Sequence, residues 1–253
     1  MILPYFVRPL YRTKYDPAIV HGVMPVGSDA TAARPRLTRE RVLGCALGVA
    51  DAGGIASLTI RSLAAELGVK PMSVYHHVAN KEAILDGIVD LVFAEMELVP
   101  HHANGAWHDQ VVRRAHATRH ALRRHPWAIG LLESRGTPGP ATLRHEEETI
   151  RILREAGFSV EMTAHASALL DSFVCGFAVQ EAARHFGVIS TMPNDERGDS
   201  SPVDPETYPH LAEMAEKHML RPGYDFGEEF QLGLDLILGA LNRAAHAGHL
   251  APS

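Results

Sequence analysis

The sequence predicts an all-α protein, and three observations support that prediction. Apolar residues recur every three to four positions along most of the chain after Leu37, which is the period of an amphipathic helix. No stretch shows the apolar–polar alternation of a half-buried strand. With 46% hydrophobic and 21% charged residues, the 253-residue chain can bury a core and is long enough for two domains or one large one.

The first segment, residues 1–36, is predicted to be a flexible N-terminal arm. It contains five prolines and shows no helical period. Arg34 and Arg36 stand at its end, where they could reach a phosphate or the minor groove of DNA, as basic arms do.

Four helices are predicted after the arm. A first helix is followed by two short ones, and a long fourth helix, KEAILDGIVDLVFAEMEL, comes next. Their boundaries are set by N-cap residues, by a helix-initiating proline and by glycine stops. These residues are Thr38, Gly53, Gly54, Thr59, Gly68, Pro71 and Asn80.

Beyond Pro100 the apolar period stays helical up to the last few residues. The last predicted helix carries Asp225 and Glu228 at capping-box spacing. A polar, proline-bearing stretch at about 190–205 predicts a mobile loop. The other helices are expected at about 106–124, 140–156, 159–186 and 206–220.

The charge of the chain is unevenly distributed. Its net charge of −6 argues against a surface covered by nucleic acid or anionic membrane. However, residues 1–81 hold 10 Lys+Arg and 5 Asp+Glu, a balance of +5, whereas the remainder holds 14 and 25, a balance of −11. Because phosphate contacts need local positive charge, the first third favours nucleic acid, with a chance distribution as the alternative.

Cysteine usage and hydropathy predict a cytoplasmic protein that has no membrane partner. Cys45 and Cys175 are far apart, whereas a secreted scaffold would use many closely spaced cysteines. No run approaches the roughly 18 apolar residues of a membrane span. The opening segment lacks the apolar centre of a signal peptide because prolines and basic residues interrupt it.

The segment AAELGVKPMSVYHH has the features of a helix-turn-helix. Ala64 and Ala65 allow two helices to approach closely, Gly68 permits the tight turn, and Val74 can anchor the second helix. Such a motif places its second helix in the major groove of DNA. The alternative is an ordinary three-helix subdomain without a DNA-binding role.

Residues 37–98 resemble the TetR family of bacterial transcriptional repressors. Three segments, LTIRSLAAELGV, VYHHVANKEAILD and YDFGEEFQLGLDLILGAL, are similar to the tetracycline-repressor branch, and the resemblance extends to about residue 248. It implies a helix-turn-helix DNA-binding domain over 37–83 and a helical ligand-binding and dimerisation domain over 84–253.

The resemblance assigns the DNA-binding residues by position. Arg61 falls where the branch has an arginine that reads guanine, a base that suits bidentate donors. The branch has Gln-Pro-Thr where this chain has Pro-Met-Ser, so an adenine-reading amide is lost and the operator should differ. The implied base-facing residues are Pro71, Met72, Ser73 and Tyr75, and the implied phosphate contacts are Thr59, His76, His77 and Lys81.

A homodimer on a palindromic operator is also implied, with half-sites about 34 to 36 Å apart or a multiple of that. Leu169, Phe173 and Phe177 recur at four-residue steps, and the last helix is apolar on more than one side. In the family, the helix expected at about 159–186 and the last helix form a four-helix bundle with the same two helices of the second subunit. A large internal core is the alternative.

The resemblance further implies a small-molecule pocket in the acidic C-terminal domain, residues 84–253. The branch holds a magnesium–tetracycline chelate with histidines that are replaced here by Glu97 and by Leu132 or Glu133, so we expect an effector other than tetracycline. Solvated or mutually paired charges are the alternative. The candidate ligand-binding residues are Glu97, Arg114, Thr118, Leu132, Glu133, Leu169, Phe173, Phe177 and Gln180.

No catalytic or cofactor motif is present, and we expect neither an enzyme nor a cofactor. His116 and His120 have the i, i+4 spacing of two zinc ligands, but no HExxH acid accompanies them. A third ligand would have to come from His101, His102, His108 or His125. The prediction is therefore a ligand-responsive repressor; the alternative is an all-helical metal-dependent enzyme or small-molecule binding protein.

Overall fold

The computed structural model describes residues 36–97, 106–132, 138–185 and 204–247, and within these ranges every regular element is helical. Residues 37–253 form a unit by themselves. Apart from Arg36, the predicted arm, residues 1–36, lies outside the described residues. The α-helices are α1 (Arg39–Gly53), α2 (Ile60–Leu67), α3 (Pro71–Tyr75), α4 (Lys81–Glu97), α5 (Trp107–Arg124), α6 (Ile129–Leu132), α7 (Pro140–Glu155), α8 (Val160–His185), α9 (Pro209–Met214) and α10 (Glu228–Ala247).

The predicted helix boundaries in the first part of the chain are confirmed. The Thr38 hydroxyl accepts a hydrogen bond from the Arg41 amide, and the Asn80 carboxamide oxygen accepts one from the Ala83 amide. Gly68 ends α2 in the left-handed conformation, with φ of 66°, which a residue without Cβ adopts at little cost.

The first four helices enclose a core of their own, which we call the head core. α4 enters it through Ile84 and Ile88, both fully buried. Gly87 of α4 allows close approach to α1, because a Cβ there would lie 2.6 Å from a Leu43 methyl group. The other buried members are Val42, Leu43, Ala46, Ala50, Leu58, Leu63, Ala64, Val74, Val78 and Leu85.

The remaining long helices enclose a second core, which we call the body core. It is formed by α5, α7, α8 and α10 and is centred on the fully buried Phe158, Phe230, Leu234 and Leu238. The second half of α4 contributes Val92 and Met96 to a smaller cluster with α5 and α8. Because α4 runs through both regions, the boundary predicted after residue 83 stays a prediction.

Two expectations need correction. The last helix begins at Glu228, and the Asp225 carboxylate accepts a hydrogen bond from the nearby Gly227 amide, so the predicted capping box is not formed. Residues 160–183 of α8 do reach the length and apolar composition of a membrane span. Such a helix also suits the interior of a folded protein, and α8 packs against α5, α7 and α10.

Short elements were not predicted from the sequence, because one helical turn is too short to show a period. They are α6 and the 3-10 turns Ile55–Ser57 and Pro126–Ala128. The helix predicted at about 206–220 is present as α9 followed by a π-helical turn, Ala215–Met219. Most of the predicted loop at about 190–205 lies outside the described residues, which resume at Asp204.

Candidate functional site

The helix-turn-helix is built from α2, a tight turn and α3. The turn closes with two backbone hydrogen bonds, from Gly68 to the Ala65 carbonyl and from Val69 to the Ala64 carbonyl. α3 then begins at Pro71, whose fixed φ suits a first helical position. Local backbone geometry therefore fixes the angle between the two helices.

One buried residue sets the orientation of α3. Val74 is fully buried in the head core, so the opposite side of this short helix must face solvent. Met72 and Tyr75 are 68% and 45% exposed, although both are large and hydrophobic. Pro71 is also exposed, and Ser73 is half-buried. The four residues predicted to face bases therefore remain accessible around a fixed anchor.

The predicted phosphate contacts differ in accessibility. His76 and Lys81 are exposed, and His77 is half-buried. Arg61, which is predicted to read guanine, is also exposed. Thr59 is exposed, but its hydroxyl already accepts a hydrogen bond from the Ser62 amide, in a capping box at the start of α2. Thr59 therefore has a demonstrable role in holding the helix that presents Arg61.

A buried histidine connects the head to the body. His125 follows α5 and is 6% exposed. Its Nδ1 lies 2.7 Å from a carboxylate oxygen of Asp51 in α1, and its Nε2 lies 3.1 Å from one of Glu95 in α4. The Trp127 indole donates to the same Asp51 oxygen at 2.7 Å. Through contacts with charged carboxylates, the imidazole links α1 and α4 to the end of α5.

Replacement of His125 by alanine should lower the free energy of unfolding by about 1.5–3 kcal/mol, the range for hydrogen bonds to charged groups. Urea unfolding followed by circular dichroism measures the change. The matched control is His120→Ala, on an exposed position of α5, which should change stability by less than about 0.5 kcal/mol. Equal stability of the two variants would show that the His125 bridge contributes nothing.

The candidate ligand residues that the structure describes differ widely in burial. Phe177 is 7% exposed and packed in the body core, with its ring stacked on Phe226 at a centroid distance of 4.6 Å. Leu169 is 45% exposed on α8, and Gln180 is exposed on the same helix. Phe173 is half-buried and stacked on Phe230 at 5.4 Å.

Other members of that set lie deeper between helices. Arg114 of α5 donates to the His145 carbonyl at 2.6 Å and to the Thr149 hydroxyl at 3.2 Å, so it ties α5 to α7. Thr118 and Leu132 are half-buried. The side chain of Glu97 and the whole of Glu133 lie outside the described residues. Their roles as ligand contacts stay predictions.

Near Arg114 the structure shows polar side chains that sequence reasoning missed. His145 of α7 is 9% exposed, and burial, aided by the Arg114 charge, lowers the pKa of its imidazole to about 3. Burial also raises the pKa of the Glu146 carboxyl, an effect that Arg114 opposes. Asp171 is exposed as a residue. Partial desolvation of its carboxyl and the Glu146 charge, opposed by Arg114, raise its pKa to about 6.

A second unpredicted feature is a cavity of about 500 Å³ along α5. Several of its charges are already paired, because Arg119 contacts Glu181 and Arg124 contacts Glu95, each at 2.6 Å. The sequence feature that could have indicated this cavity is the recurrence of arginine and histidine along α5. The lining residues are Glu95, Val112, Arg113, His116, Ala117, Arg119, His120, Arg123 and Arg124.

The histidine pair on α5 does not meet further metal ligands in the described ranges. His116 Nε2 lies 2.7 Å from the Gln231 carboxamide oxygen, and its ring meets that of Phe230 edge-on. His120 is exposed. Across the described part of the chain, no group of three His, Cys, Asp or Glu side chains is arranged to hold a metal ion.

Comparison with known protein families shows which family this chain belongs to. Residues 43–88 match the family model for bacterial regulatory proteins of the tetR family. Residues 99–244 match the tetracyclin repressor-like C-terminal domain, so the two models together cover most of the described helices. The chain belongs to the TetR family.

Individual TetR-family relatives align with this chain along most of their length. The HTH-type transcriptional repressor DrrR1 of Streptomyces coeruleorubidus is 32% identical over 232 residues, covering 87% of this chain and 83% of the relative. The tetracycline repressor protein class C of Escherichia coli is 29% identical, covering 82% and 92%. The prediction of a ligand-responsive transcriptional repressor is confirmed at this level, and the enzyme alternative is not favoured.

Solved TetR-family structures support the same architecture. The Streptomyces coelicolor protein ActR in complex with actinorhodin has a TM-score of 0.68 and 30% identity, covering 83% of this chain and 99% of ActR. Its ligand-free form has a TM-score of 0.65 and 29% identity. The predicted all-α fold, with a helix-turn-helix followed by a larger helical body, is confirmed.

Proposed function

We propose that this TetR-family chain binds a palindromic operator as a homodimer, with α3 in the major groove, and is released when a small molecule binds its body. The observation that carries the proposal is the arrangement around Val74. Its complete burial leaves Met72 and Tyr75 exposed, and the exposed cations Arg61 and Lys81 flank α3 in sequence. An apolar reading surface between cations suits a groove lined by phosphates.

The residues divide by the contacts they can make. Arg61 can donate two hydrogen bonds to one guanine, which gives sequence preference. Lys81, His76 and His77 suit phosphates, which fix the register of the protein and make its affinity depend on salt. Met72 suits the methyl group of thymine, because it is apolar and exposed. The operator should therefore combine a guanine with neighbouring thymines.

Homodimerisation is supported by an apolar surface on α8 and α10, which we call the outer face. Its large residues, Leu169, Val179, Leu232 and Leu236, are 45 to 66% exposed. α8 and α10 have 26 and 20 residues, or about 39 and 30 Å of helix. A second copy would cover this surface and supply the other reading helix of a palindrome.

The effector is a small molecule other than tetracycline. The replacements at Glu97 and at Leu132 or Glu133 remove the histidines that a magnesium–tetracycline complex needs in the related repressors. The complex of ActR with actinorhodin supports a helical body that accepts a small molecule. α4 connects that body to the head core, so an effector that displaced α4 would change the spacing of the two reading heads, with a coupling of about 1–3 kcal/mol.

The remaining assignments follow from this function. We infer a cytoplasmic protein without catalytic activity, cofactor, resident metal or membrane partner, whose DNA-binding part spans residues 37–83. Its partners are double-stranded operator DNA, a second copy of the chain and the effector.

The decisive experiment is a mobility shift with DNA from upstream of the gene. Arg61→Ala should weaken operator binding by about 1–3 kcal/mol, because one bidentate base contact is lost. Arg144→Ala is the matched control, since Arg144 is an exposed arginine on α7 in the body. It should bind like the parent chain. Absence of any shift on several candidate promoters, together with stoichiometric bound metal, would favour the enzyme alternative.

A further inference from the structure

The cavity along α5, which we call the α5 cavity, differs in charge from the rest of the body. Residues 82–253 are acidic overall, yet α5 carries five arginines and a single acid, Asp109. Four of these arginines line the α5 cavity, together with two histidines and the carboxylate of Glu95. Among the lining residues that the structure describes, only Val112 and Ala117 are apolar. A molecule bound there would therefore be recognised mainly through charge and hydrogen bonds.

The cationic residues form a row along one face of α5. Side chains at steps of three or four positions lie on the same side of a helix. Such steps connect Arg113, His116, His120 and Arg123. From Arg113 to Arg123 the helix rises about 15 Å, at 1.5 Å per residue. The α5 cavity is therefore lined by a row of donors and not by one isolated charge.

Two of the four lining arginines already have close carboxylate partners. Arg119 pairs with Glu181 and Arg124 pairs with Glu95, each at 2.6 Å. A guanidinium group has five N–H donors, and one carboxylate cannot use all of them. Because the Arg124 side chain is 50% exposed, its remaining donors are accessible to a ligand.

The other two lining arginines have a weaker partner or none. Arg123 has a longer contact with Glu181, at 3.6 Å, and its side chain is 54% exposed. The Arg113 side chain makes no ion pair or hydrogen bond with any other residue that the structure describes. The nearby acid, Asp109, lies 3.7 Å from a His108 nitrogen instead. Four arginines and two carboxylates leave the α5 cavity with a surplus of positive charge.

The geometry of the donors indicates the class of ligand. Guanidinium groups bind carboxylate and phosphate oxygens through paired N–H donors. The volume of about 500 Å³ is within the range of small-molecule sites, about 300–1,000 Å³. Because the row of donors is longer than one carboxylate or phosphate group, a molecule with several anionic groups can contact more of it than a monovalent ion can.

We propose that the α5 cavity binds a small multivalent anion that carries phosphate or carboxylate groups. The site is separate from the candidate ligand-binding residues, because none of those that the structure describes lines the α5 cavity. Arg114 instead directs its donors towards α7. The site lies within one chain and needs no DNA, so it is independent of the repressor function.

Titration calorimetry of the full-length chain without DNA tests the site with tripolyphosphate, citrate and acetate. Sodium chloride keeps the ionic strength constant, because salt screens exposed charges. Tripolyphosphate or citrate should bind once per chain and at least about 10-fold more tightly than acetate, since several charge-assisted hydrogen bonds form. The tighter of the two identifies phosphate or carboxylate as the preferred group. No saturable binding of either, or acetate binding as tightly as both, would overturn the proposal.

Variants that remove one charge locate the anion. Arg113→Gln should weaken binding of the tighter probe at least about 5-fold, and adding Arg123→Gln should bring the loss to at least about 20-fold. Arg113→Lys keeps the charge without the paired donors, so its affinity should lie between those of the parent chain and Arg113→Gln. These variants should melt within about 2 °C of the parent chain, because neither arginine has a close ion pair within the described residues.

Two matched controls carry the same substitution outside the α5 cavity. Arg144→Gln is on an exposed position of α7, and Arg61→Gln is in the helix-turn-helix, whose cations also attract anions. Both should bind the probe like the parent chain. Equal weakening by Arg144→Gln would indicate general charge attraction. Weakening by Arg61→Gln, with none by the α5 variants, would place the anion on the DNA-reading surface. Either result would contradict an anion site in the α5 cavity.

Discussion

Glutamate in place of Leu236 should produce a folded monomer that binds operator DNA at least about 100-fold more weakly than the parent chain. Leu236 is 66% exposed in the single chain, so the substitution should change monomer stability by no more than about 0.5 kcal/mol. In a dimer the same side chain would be covered by its mate, and a buried unpaired charge opposes association. Loss of the second reading head removes the avidity of two linked half-sites, commonly 100-fold or more.

Sedimentation velocity measures the oligomeric state, and a mobility shift measures operator affinity. Leu143→Glu is the control, because Leu143 of α7 is a comparably exposed leucine outside α8 and α10. It should remain dimeric and bind DNA normally. A dimeric Leu236→Glu variant, or a monomeric Leu143→Glu variant, would contradict the assignment of the outer face as the dimer interface.

The second large effect is expected at Arg119, which lies between α8 and α10. Its guanidinium makes two hydrogen bonds to the Glu181 carboxylate, at 3.0 and 2.6 Å, and the two side chains are only 12% and 16% exposed. It also lies over the rings of Phe177 and Phe230, 5.1 and 4.8 Å from their centroids. Arg119→Met should lower the free energy of unfolding by up to about 3–5 kcal/mol, because the poorly solvated Glu181 carboxylate is left with the longer contact to the half-exposed Arg123, at 3.6 Å.

A double-mutant cycle separates this pair from simple loss of packing. Glu181→Gln alone should also destabilise the chain, whereas the double variant should be more stable than the sum of the single effects predicts. The exposed pair Lys217 and Glu213 is the control, with side chains 70% and 57% exposed, and its coupling should be at most about 1 kcal/mol. Urea unfolding measures all variants. Equal coupling in the two pairs would contradict a special role for the buried one.

Some parts of the site could be predicted from the sequence because they depend on near neighbours. The caps at Thr38 and Thr59 and the turn at Gly68 involve hydrogen bonds between residues three to five positions apart. The same holds for Pro71 at the start of α3. Periodicity could also identify Val74 as an anchor, and its complete burial agrees with that reading.

Ligand contacts were harder to predict, because a helical period identifies apolar faces without identifying what covers each face. From the sequence, Phe177 could equally be part of a pocket wall or of the core. In the structure its ring stacks on that of Phe226, in the turn that precedes α10. Leu169 recurs on the same period but lies 45% exposed on the outer side of α8. Polar His145 and Ser167 have no sequence signal that distinguishes them from surface residues.

Local hydrogen bonding and apolar period were sufficient to establish the helices, the helix-turn-helix and the family resemblance. Burial and long-range pairing needed the tertiary structure. Arg119 and Glu181 are 62 positions apart, and His125 and Asp51 are 74 apart. Whether such side chains meet depends on how whole helices pack, and that packing is the combined result of many weak contacts between distant segments. The sequence therefore predicted the exposed surface around the buried Val74, whereas helix packing decided which polar atoms of the described residues are buried without a hydrogen-bond partner.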